Sequence, residues 1–396
     1  MMPRPSILLL QNRGKKSRQE GHPCRFRISL CHSHEVSTKQ TISGIAGERG
    51  ELSLLREIRH RAGRTSLGGL RLGIGDDCAL LAPQAGEELA VTTDLSIAGR
   101  HFRLDWHQPE SVGHRALARG LSDLAAMGAR PVAAFLSLGL PRSLTLPVSR
   151  RAEARTGVRS GVRSEVRSWV QRFLDGLLAL AEIHQTPLAG GDLAESPLAV
   201  ADIVLAGAVP RGRALLRSGA HPGDLLYVTG ALGGAAAGLA RLTELAGSGE
   251  LARRNPPRIP KKLEAQLAPH LYPQPRIAQG LWLQRRGLAS AALDLSDGLS
   301  TDLAHLCEES GVTAEVDAAA LPIHSAANLA QALHGGEDYE LLFTAPAATR
   351  MPRSIAGVPI TRIGRLLKSR PSQPAISLIT SQGAQPLEPH GWEHFR

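Results

Sequence analysis

Aromatic residues make up only 3% of this 396-residue chain, and it holds four cysteines. Thiols at Cys24, Cys31, Cys78 and Cys307 are too few and too scattered for a disulfide framework, so a reducing cytoplasm is the expected compartment. No apolar run approaches the roughly 20 residues of a membrane span. Ile7 to Leu10 is also too short for the core of a signal peptide. The chain has no GK[ST] phosphate loop, no GxSxG elbow, no HExxH helix and no convincing cysteine nucleophile. These gaps exclude the Walker NTPases, the serine hydrolases of the elbow type and the zincins. The cluster His22, Cys24, Cys31, His32 and His34 has the residue types of a zinc site, but its spacing matches no standard finger.

The net charge of +10 suggests a nucleic-acid or acidic-membrane partner until its location is considered. Residues 1–50 carry nine Lys or Arg against three acids, and residues 149–168 carry six Arg against two Glu, so these two segments hold the whole surplus. The rest of the chain is neutral, and neither a nucleic-acid nor a membrane partner is expected. Residues 1–48 lack helical or strand periodicity and read as a disordered basic extension. The segment GVRSGVRSEVRS at Gly157 to Ser168 repeats every four residues and reads as a solvated, Arg-rich insert leading into a helix.

What is present is an α/β pattern. Leu52, Leu55, Ile58 and Ala62 recur at helical spacing, Glu88 to Asp94 alternates as a strand, and Pro109 opens a helix with Leu117, Leu121 and Leu124 on its buried stripe. Val132 to Leu140 and Leu198 to Val209 read as strands. Between them Val166, Trp169, Val170, Phe173, Leu174, Leu177 and Ala181 trace one wide helical face. The turn residues SGAHPGD at Ser218 to Asp224 mark a boundary, giving an α/β domain at 49–217 with the insert 149–168, and a second α/β domain at 218–396. In the second domain Leu225 to Thr229 is a strand and Gly230 to Gly238 a glycine-rich turn into a helix, read as structural. Residues 247–276 read as a connection.

Five turns or element ends place acids beside glycine or hydroxyl residues: Asp77 in GIGDD, Thr92 with Asp94 in TTD, Asp123, Gly191 with Asp192 in LAGGD, and Asp294 with Asp297 in LDLSDG. Of Asp76 and Asp77, extended backbone points only one toward any shared ion. Asp123 lies near the negative end of its helix, which suits a nearby cation, although pairing with Arg119 at i,i+4 accounts for it equally well. Asp297 also stands where an ordinary helix cap would. If these carboxylates converge, the pocket needs several divalent cations to remain ionised, and Mg²⁺ held on carboxylates grips a polyphosphate without a lysine-bearing loop. Phosphoryl transfer is then the natural chemistry, since positioning and electrostatics carry most of it.

The ordered blocks GIGDDCALL, VTTDLSIAGRHF, ALARGLSDLAAMGARP, GGD, RALLRSGAHPGDLLYVTG, LDLSDGLSTDL, GGEDYELLF and GWEHF closely resemble the thiamine-monophosphate kinase family over residues 50–396. Aminoimidazole ribonucleotide synthetase and selenophosphate synthetase belong to the same superfamily and share the GIGDD and SDGL blocks. The resemblance implies two α/β domains: an N-terminal sheet with helices on one face, through which a homodimer forms, and a C-terminal α/β sandwich. It also implies ATP-dependent phosphorylation of thiamine monophosphate to thiamine diphosphate, the last step of thiamine diphosphate biosynthesis, with ATP as co-substrate and several Mg²⁺ ions. On the same ground Asp77, Thr92, Thr93, Asp94, Asp123, Asp192, Asp294 and Asp297 are expected to form the metal shell. Gly191, Asp192, Arg217 and Ser296 are expected to contact the nucleotide, and His101, Glu337 and Trp392 the substrate. No protein group beyond the metal shell is expected to be catalytic. Family members often carry two threonines after GGD, whereas Leu193 and Ala194 stand here. The alternatives are a synthetase acting on a ribotide and a non-catalytic Mg-nucleotide-binding module.

Overall fold

Two long apolar strands and one almost entirely buried helix position everything that follows. The computed structural model describes residues 51–63, 68–146, 167–249, 259, 261–371 and 373–391. The expectations for residues 1–48, for most of the arginine insert and for Trp392 lie outside these residues.

The chain begins with α1 (Glu51–Ala62), a short hairpin of β1 (Leu70–Leu72) and β2 (Leu80–Leu81), β3 (Glu87–Ile97), α2 (Pro109–Ala126) and β4 (Arg130–Leu140). There follow α3 (Arg142–Thr145), α4 (Trp169–Ile183), β5 (Leu188–Glu195) and β6 (Val200–Pro210). The sheet order is β3-β6-β4-β5, with β4 and β5 parallel and the other pairs antiparallel. Helix α4 starts where Ser168 and Gln171 form a reciprocal capping box, so the end of the arginine repeat serves as a helix cap. Its apolar face, with Phe173, Leu174 and Leu177, packs with Leu117, Leu121 and Leu124 of α2 over Leu136, Ile203 and Leu205 of the sheet.

Directly paired residues of neighbouring strands share a face, so the register sorts the acids. Asp94 is level with Ile203 and Leu136 on the helix-covered face. Leu95, Asp202, Ser137 and Asp192 form the next row, on the opposite face. The polar Asp202 in an otherwise apolar strand is explained by that outward position. Along β3 the apolar residues also face outward, with Leu89 43%, Val91 65% and Leu95 46% exposed. The LAGGD segment does not end a strand, because β5 continues through Asp192 to Glu195.

The second half contains β7 (Leu225–Thr229), α5 (Gly234–Gly247), α6 (Lys261–Leu271), α7 (Ile277–Arg286), β8 (Ala291–Asp294), α8 (Leu299–Ser310) and β9 (Val312–Asp317). It ends with α9 (Leu329–His334), β10 (Leu341–Ala345), β11 (Ser354–Ile355), β12 (Val358–Lys368), β13 (Ile376–Thr380) and β14 (Gly383–Pro386). Its sheet runs β14-β13-β9-β12-β7-β10-β8, with β11 paired to β12. The stretch 247–276, expected as a connection, contains α6. Leu263 and Leu267 sit there at helical spacing, but Pro269 and the surrounding prolines mask the pattern.

The described residues from Glu51 to Gly391 pack as one unit. One apolar cluster runs from the first sheet through α2 and α7 to Tyr227, Ala292, Leu341 and Phe343 on the second sheet, and Leu293, Leu299, Leu303 and Leu342 belong to a separate cluster. Helices α2 and α4 cross at two glycines: a Cβ on Gly113 would lie 1.9 Å from the Phe173 carbonyl oxygen, and one on Gly176 would lie 1.8 Å from that of Glu110. Gly176→Ala is therefore expected to push the helices apart and destabilise the fold by about 1–3 kcal/mol. Thermal unfolding of the variant checks this, and an unchanged midpoint would contradict the close crossing.

Candidate functional site

Four side chains of α2, at i, i+4, i+7 and i+8, leave the helix on its one polar side and each meets a functional group from another element. Arg115 Nη2 donates to both oxygens of Glu337 at 2.6 and 2.7 Å, and Arg119 Nε lies 3.5 Å from Asp94 Oδ1. Ser122 Oγ donates to Asp294 Oδ2 at 2.7 Å, and the Thr92 hydroxyl donates to Asp123. A cavity of about 450 Å³ opens beside this stripe, lined among others by Asp94, Asp123, Asp294, Asp297, Ser296 and Glu337. The i,i+4 pairing of Arg119 with Asp123 gives way to pairing of Arg119 with Asp94, and Asp123 is left to Thr92.

The carboxylates are held against their own charge. Burial, opposed by Arg119 and reinforced by Asp123, Asp202 and Asp297, raises Asp94 to about 6. Burial and then the neighbouring Asp123 raise Asp294 to about 7. Asp123 is raised by burial too, against the Thr92 hydrogen bond and the charge of Arg217. Acids whose ionisation is opposed by burial and by one another mark a candidate functional site. These hard oxygen donors suit Mg²⁺, yet among the described residues no three acid, His or Cys side chains close on one ion. That also fits Mg²⁺, which commonly takes one or two carboxylates and completes its shell with water and substrate phosphate.

Asp297 does not cap α8. Gly298 is its N-cap, and the buried Asp302 accepts the backbone N–H groups of Asp297 and Gly298 at 3.0 Å each. Glu337 sits at φ +67° and Tyr339 at φ +52°, a left-handed backbone that non-glycine residues seldom adopt. The strained loop is pinned by Glu337 N donating to the Ser296 carbonyl and Tyr339 N to that of Leu295. His101 lines the cavity, and its Nδ1 accepts from Ile97 N at 3.0 Å. Arg217 lies exposed on a single 3₁₀ turn, outside the lining but near enough for its charge to favour ionised Asp123 and Asp294.

The expected shell does not assemble in one place. Asp77 and Asp192 are exposed and line a second cavity of about 560 Å³ with Arg56, Arg59, Asp76 and Gly191. Gly191 is required there: at φ +145° a Cβ would lie 1.8 Å from the Leu136 carbonyl oxygen. Thr93 points to the outer sheet face, where its hydroxyl meets Asp202 at 3.3 Å. Arg115, Arg119 (read only as a partner of Asp123), Ser122, Trp106, His107, His270 and Tyr339 went unread in the sequence as residues of the site. The spacing of residues 115, 119, 122 and 123 was the available signal for the first three, but on a helix a polar stripe ordinarily means solvent. The glycine turn before α5 is not open to a phosphate, because the Asp338 carboxylate accepts from Gly233 N and Ala235 N there.

Family models for AIR synthase related proteins match residues 75–209 with the N-terminal domain and residues 221–369 with the C-terminal domain. The thiamine-monophosphate kinase of Salmonella typhimurium is 41% identical over 331 residues, covering 80% of this chain and 90% of that one. The chain belongs to the thiamine-monophosphate kinase family. The crystal structure of the Stenotrophomonas maltophilia family member matches with a TM-score of 0.65 at 36% identity, covering 83% of this chain and 96% of that one. Another family structure, described as AaThiL complexed with AMPPCP and TMP, matches with a TM-score of 0.62 at 28% identity over 87% of this chain and 97% of that one. The expected family and α/β fold are thus both found. Among the described residues no helix is long and apolar enough to cross a membrane.

Burial also raises Asp338 to about 7, despite the backbone donors that favour its charged form. Its folded pKa lies above its unfolded one, so the native state holds a proton that the unfolded chain releases as pH rises from about 4 to about 7, and stability falls over that window. Asp338→Asn removes this dependence. Urea unfolding at pH 5 and pH 8 should show the variant gaining on the parent protein at the higher pH, and an equal difference at both would refute the assignment.

Proposed function

We propose that this chain transfers the γ-phosphoryl group of ATP to the phosphate of thiamine monophosphate, yielding thiamine diphosphate and ADP. The observation that carries the reading is the buried carboxylate cluster on a cavity wall, in a family that includes a structure with AMPPCP and TMP bound. An oxygen of the acceptor phosphate attacks the γ-phosphorus in line, and the bond to the β-phosphate oxygen breaks. A phosphate monoester is largely ionised at neutral pH, so no protein base has to remove a proton. The problem for the protein is charge, because anionic phosphates must approach aspartates.

Asp94, Asp123, Asp294 and Asp297, assisted by the hydroxyl of Thr92, would hold Mg²⁺ at the first cavity, and Asp77 and Asp192 would do so at the second. The ions, when bound, neutralise the phosphate charge and the charge developing in transfer. The protein's own share is to keep these oxygens fixed before substrate arrives. Ser122 and Thr92 orient two carboxylates, and Arg119 holds Asp94. Gly191, Asp192, Arg217 and Ser296 are assigned to the nucleotide. His101, Glu337 and Trp392 are assigned to the flat acceptor, with Glu337 accepting from an amino group. A cytoplasmic enzyme is in keeping with the free thiols of Cys78 and Cys307.

The division of the acids between two cavities supports a homodimer whose sites are shared. Leu89, Val91 and Leu95 leave an apolar strip on the outer sheet face, suited to the same face of a second copy. Such a two-fold contact brings the Asp77 and Asp192 side of one chain to the Asp94 and Asp294 side of the other. The N-terminal domain ends at residue 217 in this scheme, and the C-terminal domain supplies Asp294, Ser296 and Glu337.

Purified protein with Mg-ATP and thiamine monophosphate should release ADP and form thiamine diphosphate, and no product at any Mg²⁺ concentration would exclude the reading. Asp123→Asn or Asp294→Asn is expected to lower turnover at least about a hundredfold with the fold retained, since each removes charge from the metal site. Asp192→Asn and Asp294→Asn proteins, each inactive alone, should recover about a quarter of wild-type activity when mixed, because one site of each mixed dimer is intact. No recovery despite subunit exchange would mean that each site is built within one chain.

A further inference from the structure

On the cavity wall lie two histidines that the phosphoryl transfer itself leaves unused. His107 and His270 are each only 2% exposed, and their Nε2 atoms are 3.0 Å apart. One must donate and the other accept, so the pair has a direction. The direction follows from both ends. At His107, Nδ1 is 3.1 Å from Arg103 N and 3.2 Å from Arg103 O. That carbonyl already accepts from the backbone N–H groups of Trp106 and His107. Nδ1 therefore accepts from Arg103 N, and the ring proton sits on Nε2.

His107 then donates to His270 Nε2, which leaves the His270 proton on Nδ1. That atom is buried and, among the described residues, without a hydrogen-bond partner, and it stands 3.6 Å from Glu337 Oε2. The opposite tautomer would set a bare lone pair toward a carboxylate already held by Arg115. Burial keeps both rings well below the ordinary histidine range, so each carries a single proton at neutral pH.

We infer that the Arg103–His107–His270 chain is a positioning device that points a proton at Glu337 and so fixes this carboxylate as a pure acceptor. With Arg115 holding both oxygens and His270 on one side, the capacity of Glu337 that remains faces the cavity. It selects an acceptor substrate that offers an N–H donor there, such as an amino group on a flat heterocycle, and disfavours one that offers only a carbonyl or ring-nitrogen lone pair. This deepens the kinase reading and rests on it for the identity of the substrate. His270 acts through Glu337 and is no catalytic residue.

Two measurements test it. In ¹⁵N spectra of the histidine rings of the wild-type protein at neutral pH, His107 should be the Nε2–H tautomer and His270 the Nδ1–H tautomer. The reverse assignment, or a doubly protonated ring, would overturn the inference whatever the activity. His270→Leu should raise KM for thiamine monophosphate about tenfold, because Glu337 loses the N–H that faces it across 3.6 Å, and by several times more than it changes kcat or KM for ATP. His270→Asn, whose amide nitrogen replaces Nδ1, should recover most of that loss. Equal KM in the Leu and Asn variants, or a uniform fall in kcat with no change in KM, would sink the positioning role. If wild-type protein fails to phosphorylate thiamine monophosphate, the functional reading fails while the spectra still decide the proton order.

Discussion

The structure depends on a helix buried on nearly every side. Helix α2 packs on α4 and the first sheet through Leu117, Leu121 and Leu124, and it also meets α7 and the second sheet. Burial on so many sides leaves its polar residues little water, so most of them find a partner in protein. Arg115, Arg119, Ser122 and Asp123 do so by reaching Glu337, Asp94, Asp294 and Thr92. Desolvation of one helix thus joins strands and loops from both halves of the chain at one cavity.

That cavity is strained electrostatically as well as in its backbone. Asp94 and Asp294 are pushed up to about 6 and about 7, and Asp302 beneath them is raised further by burial and by its acidic neighbours. A protein selected only for stability would fill these positions with apolar side chains. Keeping them acidic serves the proposed function, in which cations would offset the mutual repulsion of these carboxylates. The left-handed Glu337 and Tyr339 belong to the same economy, held by backbone hydrogen bonds to Leu295 and Ser296.

The first sheet is built with two different faces. Its inner face is closed by helices, whereas its outer face shows Leu89, Val91 and Leu95 beside Thr93, Asp202 and Asp192. A single-residue shift in register would exchange the two sets, so the alternation along β3 decides both which acids line the inner cavity and which side chains lie on the outer face.

Much of this molecule was legible before folding. The strands β3, β4, β6 and β7, the helices α2 and α4, and the glycine-acid segments around Asp77 and Asp294 follow from periodicity and from glycine-acid chemistry, both of which are local, whereas Asp192 lies within β5 and not at the expected strand end. Helix α6 was not legible, because Pro269 interrupts a pattern whose partner, α5, is known only in three dimensions. The sorting of acids was not legible either. Asp123 and Asp294 stand 171 positions apart in the chain, and whether they share a cavity depends on how two sheets seat on α2. Likewise the polar stripe of α2 reads as a solvated face until packing removes the solvent, and His107 and His270 read as unrelated until α6 brings their rings together. Local sequence determined which residues carry oxygen and charge; burial, a property of distant segments meeting, decided which of them act together.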